Sequence, residues 1–233
     1  MNLRLPLLLT VLALAGCAHS DTKETLDTDI QGLPQPTQVY VSRFSFTASD
    51  VTPNQAITAR MNNKYNDVSP QTVEEEVGMS VASTMQSSLI NSLNGYGIPA
   101  VATQGGVPPV GSFVIEGELL TIKEGNSFQR FAVGLGAGQS KVVSYVSTYL
   151  VTSTGLVNVA QFYSDSKSSV KPGVATMLII PAAAGGSLAT TAAVSGGVGV
   201  ATAKRQTAQA DAARTAKKIA AKVNQLFMAE GWN

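Results

Sequence analysis

Apolar positions change their period several times along this chain, and each change marks an element. Val73, Val77, Val81, Met85, Leu89 and Leu93 recur every fourth residue, the spacing of one helical face. Ser69 with Pro70, or Thr72 with Glu75, can cap the start of this helix, and Asn94-Gly95 supplies a stop. A second helix is predicted over 204–230. It would place Ala212, Ala216, Ile219, Val223, Leu226 and Phe227 on one face and Asp211, Arg214, Lys218 and Lys222 on the other.

Strand patterns lie between the helices. Residues 38–46 carry Val39, Val41, Phe44 and Phe46, and a short strand is expected over 98–103, so strand, helix and strand suggest one parallel crossover. Residues 47–67 and 104–111 read as turn-rich connections. In 113–142, Phe113, Val114, Ile115, Leu119, Leu120 and Ile122 favour β-structure. A turn signal follows at Glu124-Gly125-Asn126, and Gly134, Gly136 and Gly138 then alternate before a strand beginning at Val142. Val143, Tyr145, Tyr149 and Val151 alternate to residue 152. Thr154-Gly155 turns the chain into 156–163, an antiparallel hairpin. The expected fold is α+β: a mixed, mainly antiparallel sheet with helices packed on one face, plus a Gly/Ala-rich apolar segment.

Two parts of this pattern carry a resemblance. The first is Phe113-Val114-Ile115-Glu116-Gly117-Glu118 followed by Glu124-Gly125-Asn126, Arg130 and the alternating glycines. The second runs from Asp211 through Arg214, Lys217 and Lys218 to Ala220, closing on Gly231-Trp232. Over residues 38–232 the chain resembles a family of bacterial lipoproteins of the domain-of-unknown-function 4410 type. The resemblance implies a location and a fold; it brings no chemistry.

The N-terminus supplies the location independently. Arg4 is a short positive region, residues 5–14 are apolar, and Leu14-Ala15-Gly16-Cys17 resembles the bacterial lipobox. In that motif a peptidase cuts before a cysteine whose thiol has been acylated, with palmitate among the usual chains. The apolar run is shorter than the span of about 20 residues that crosses a bilayer. An acylated Cys17 with several chains would hold the membrane stably. Ala18 follows it, where aspartate would resemble an inner-membrane retention signal, so the outer membrane is expected. Residues 1–16 are thus a signal peptide, 17–37 the acylated cysteine with a polar, flexible tether, and 38–233 a single domain.

Composition narrows the function. The net charge is +1 and charged residues make up 13 %, against roughly 25 % in ordinary soluble domains, so nothing argues for nucleic acid as a partner. A second uncharged stretch, 172–203, has Gly185, Ala189, Ala193, Gly197 and Ala201 at every fourth position. On a helix they form a smooth ridge of the small-xxx-small kind, a glycine zipper suited to self-association or shallow insertion. A buried helix or a loop of the domain fits the same residues.

Candidate chemistry is sparse. Gly134, Gly136 and Gly138 invite an anion-binding reading, but Gln139 stands where a dinucleotide fingerprint needs glycine, and no Gly-Lys pair follows. A turn or bulge before a strand accounts for them. Glu116 and Glu118 are two apart, so on a strand both carboxylates face one side. Such a pair shares a proton when buried and is a solvated face when exposed. His19 is the only histidine and lies two residues past Cys17. Cys17, once acylated, leaves no free thiol, so no catalytic residue, metal site or cofactor is expected. The leading expectation is a non-enzymatic binding or scaffolding module on the periplasmic side of the outer membrane. Its partners would be other envelope proteins or itself. The alternative is a small-ligand-binding protein or enzyme that uses the Glu116/Glu118 face and the glycine loop.

Overall fold

One face of a single sheet is covered by two helices, and the layers meet in one apolar core. The computed structural model describes residues 19–27, 32–55, 58–59, 62, 68–103, 106–125, 138–167 and 207–232, apart from the side chains of residues 19, 20 and 24–27. Within these residues the strands are β1 (His19–Asp27), β2 (Val39–Val41), β3 (Ser45–Phe46), β4 (Val51–Thr52), β5 (Ala100–Ala102), β6 (Phe113–Lys123), β7 (Lys141–Thr152) and β8 (Gly155–Lys167). The helices are α1 (Pro70–Gly95) and α2 (Ala208–Ala229). The sheet runs in the order β1-β8-β7-β6-β2-β5, with β3 and β4 also paired to β6. The long pairs β1–β8, β8–β7 and β7–β6 are antiparallel, whereas β2, β3 and β4 lie parallel to β6 and β5 parallel to β2. This is the expected α+β fold, with the parallel crossover β2–α1–β5 in place.

The first helix forms as its spacing predicts. Val73, Val77, Val81, Met85, Leu89 and Leu93 are all buried. The Ser69 hydroxyl accepts from the Thr72 amide, with Pro70 in the first turn, a cap that contributes about 1 kcal/mol. The stop differs from expectation. Ile98 and Gly97 donate to the carbonyls of Leu93 and Asn94, the paired bonds of a Schellman ending, so the terminating glycine is Gly97 and not Gly95. Asn94 instead clamps the backbone N–H and C=O of Ala100, which ties the helix end to β5.

Two strand expectations change. The segment 38–46 is split, because after β2 the chain turns Phe44 inward and resumes as β3. Phe44 lies over Gly117 and Phe46 over Gly78, and a Cβ on either glycine would fall inside the facing ring. More consequentially, β1 lies within the stretch read as a tether and pairs with β8 from His19↔Lys167 to Asp27↔Ala160. Its residues are largely polar, and the strand is held by its backbone ladder with β8 and by α2 packed against it.

Candidate functional site

The strands β6, β7 and β8 meet β1 at one end of the sheet in a single register row. Lys123 is opposite Lys141, Lys141 opposite Lys167, and Lys167 opposite His19, with Thr52 of β4 beyond Lys123. The Asp165 carboxylate reaches Lys141 at 3.2 Å and Lys167 at 3.6 Å. Lys123 is exposed and has no ion-pair partner among the described residues. Beside this row a shallow cleft of about 420 Å³ is lined by Asp21, Lys23, Tyr163, Asp165 and Lys167.

Behind the row lies a polar seam. On β7 and β8 the core-facing positions near α2 are Ser144, Thr148, Ser164 and Ser166, all buried. Asp211, in the first turn of α2, is fully buried against them. The Ser140 hydroxyl donates to Oδ2 at 2.6 Å, and Oδ1 accepts from the Ser166 hydroxyl at 3.4 Å and pairs with Arg214 one turn on. Burial pushes the Asp211 carboxyl above its ordinary value, while the Ser140 hydroxyl and the Arg214 guanidinium pull the other way. The expectation that Asp211 shares a solvated face with Arg214, Lys218 and Lys222 is therefore corrected. The signal for it was the run of hydroxyls at alternate positions of β7 and β8, which leaves a strand's inner face needing a polar partner. The seam joins helix to sheet: Ser140 and Ser166 face the carboxylate, Thr148 bonds the backbone of Ala160, and Ser164 meets Thr22 and the Asp21 carbonyl of β1.

The remaining sequence-based candidates are scattered. Glu116 and Glu118 do share one side of β6, the side away from the helices, and both are exposed. Gly138 has φ +70° directly before β7, a backbone conformation that side chains disfavour, in keeping with a turn. Cys17, Gly134, Gly136 and the series Gly185, Ala189, Ala193, Gly197 and Ala201 lie outside the described residues. Among the described residues no group of three metal-ligating side chains occurs, and no helix is long and apolar enough to cross a membrane.

The opposite end of the sheet is sealed by aromatic rings. Phe113, Phe227 and Trp232 pack edge to face with centroids 5.0–6.4 Å apart. Gly231, at φ +73°, ends α2 so that Trp232 donates its amide to Phe227. The Trp232 indole N–H donates to the Leu33 carbonyl, and Gln35 donates to the Trp232 carbonyl. Trp232 belongs to the core and fastens the segment ahead of β2.

Comparison with known proteins gives a family and little else. The family model described as a domain of unknown function, DUF4410, matches residues 39–186. No curated protein matches. Among solved structures, the PelC dodecamer from Paraburkholderia phytofirmans is similar at 11 % identity and TM-score 0.41, covering 84 % of this chain and 96 % of that one. A single-substitution variant of the same dodecamer is similar at 10 % identity and TM-score 0.38, covering 85 % and 95 %. Likeness at these scores transfers neither an activity nor an assembly.

Proposed function

This chain belongs to the family described as a domain of unknown function, DUF4410, and from that premise we propose that it is a lipid-anchored envelope protein. It acts as a non-enzymatic binding or scaffolding module held by Cys17 at the periplasmic face of the outer membrane. The observation that carries this reading is Leu14-Ala15-Gly16-Cys17 after an apolar run, with Cys17 the single cysteine of the chain. The position of β1 supports it. The strand begins two residues after Cys17, so an acylated cysteine would be attached almost directly to the sheet edge.

The non-enzymatic part has its own support. The fully buried carboxylate among the described residues, Asp211, is engaged by Ser140, Ser166 and Arg214, and Glu116 and Glu118 stand exposed on an uncleft strand face. Neither arrangement holds a poised acid and base beside an enclosed pocket.

The test is Cys17→Ser in cells fed labelled palmitate. The variant is expected to accumulate as an uncleaved precursor without label, while the wild type is processed and labelled. Equal processing and labelling of both would end the reading. Self-association through Gly185, Ala189, Ala193, Gly197 and Ala201 is part of the same proposal. Gly185→Leu with Gly197→Leu should reduce a detergent-solubilised oligomer to monomer, and a strictly monomeric wild type would remove this element.

A further inference from the structure

We propose that the end of the sheet carrying Lys123, Lys141 and Lys167 binds anionic phospholipid headgroups of the membrane that holds Cys17. The inference rests on the lipid-anchor reading above and adds an orientation and a ligand to it. Its first support is the register itself. The three lysines occupy one row across adjacent strands, which lie about 4.8 Å apart. Like charges directly opposite each other weaken a sheet. Asp165 contacts Lys141 and Lys167, Asp21 lies opposite Asp165 with Lys23 in the same cleft, and Glu124 beside Lys123 is buried. The three lysines of the row and Lys23 thus outnumber the two accessible acids, Asp21 and Asp165. The acidic run Glu74, Glu75 and Glu76 opens α1, which packs on the helix-covered face of the sheet against β2 to β6.

The second support is reach. His19 closes the row opposite Lys167, and Cys17 precedes it by two residues, at most about 7 Å of chain. A membrane surface at Cys17 is therefore at this end of the sheet. The aromatic seal lies a full strand away, where the eleven residues of β6 span roughly 36 Å. Had residues 19–27 been an unpaired tether, the domain could present any surface to the bilayer; the ladder with β8 removes that freedom.

The third support separates headgroup contact from insertion. The four most exposed apolar side chains, Val107, Val110, Leu156 and Met228, belong to the distal part of the fold, whereas Leu120 and Tyr163, nearer the row, are 37 % and 38 % exposed. The row at the Cys17 end is ionic. Anionic leaflets attract such residues by about fivefold in partitioning per lysine, and the effect is screened by salt.

The experiment uses the acylated full protein reconstituted in phosphatidylcholine vesicles, with and without phosphatidylglycerol, read by amide hydrogen exchange. Amides at 123–125, 139–143 and 165–167 should gain protection on the anionic vesicles alone and lose it at high salt. Lys123→Gln with Lys141→Gln and Lys167→Gln should lower the docked fraction ratio on the order of 100-fold. The corresponding triple arginine variant should keep it, which separates charge from folding, and Asp165→Asn should raise it. Equal protection on neutral and anionic vesicles, or protection that survives the glutamine variant, overturns the proposal. Intact mass of the same sample reports the acyl chains. A protein without them sinks the anchor reading, while its response to phosphatidylglycerol still decides the headgroup surface.

Discussion

Gly117 shows how a single residue sets the interior. Its neighbours Glu116 and Glu118 face outward on β6, while Gly117 faces the core, and the ring of Phe44 fills the space a side chain would take. Gly117→Ala should destabilise the fold by about 1–3 kcal/mol, since added atoms in a filled core force shifts. Phe44→Leu in the same chain should recover part of the loss. Denaturant midpoints of the two single variants and the double variant check this, and an unchanged midpoint for Gly117→Ala would remove the ring as the reason for glycine. The sequence marks Gly117 as unusual inside a strand but does not show which ring lies over it. Phe44 is brought there by the parallel pairing of β3 with β6, a contact no local pattern encodes.

Elements were legible where their side chains carry a period. The apolar faces of α1 and α2, and the hairpin β7–β8, follow from spacing alone, because burial of one face decides both conformation and packing. β1 was not legible. His19–Asp27 has one aliphatic residue, Leu26, and is held by backbone pairing along the edge of β8, which leaves no mark on side-chain periodicity. A polar edge strand is also what protects an open sheet from pairing with other chains. Asp211 was misplaced for a related reason: a helical wheel puts it beside Arg214, and only β8 and the turn that leads into β7 supply Ser166 and Ser140 to receive it.

That seam makes a pH prediction. The folded Asp211 carboxyl titrates above its ordinary value of 3.8, so the folded chain holds this proton more tightly than the unfolded one. Its contribution to stability is complete below 3.8 and is lost as pH rises through the folded value. Asp211→Asn carries no charge at any of these pH values, so it should gain on the wild type as pH rises across that window. Parallel stability curves for the two proteins would show that burial does not dominate at Asp211. Asp211→Ala, which leaves Ser140, Ser166 and Arg214 without their acceptor, should cost about 2–4 kcal/mol.

At the scale of the whole molecule the two ends of the sheet differ in kind. One end carries the entry of the chain, the lysine row and, behind it, the Asp211 seam. The other is closed by Phe113, Phe227 and Trp232, with Leu33 and Gln35 bound to the C-terminal turn. With Cys17 acylated as proposed, pairing of β1 would convert the lipid from a loose leash into a fixed point of attachment and would give the domain one side towards the membrane and one away from it. All of this depends on the chemistry of one residue. The most direct measurement is the mass of the N-terminal peptide of the protein extracted from membranes. The account predicts a peptide that begins at Cys17 and carries acyl chains. A peptide beginning at any other residue, or an unmodified Cys17, would contradict it.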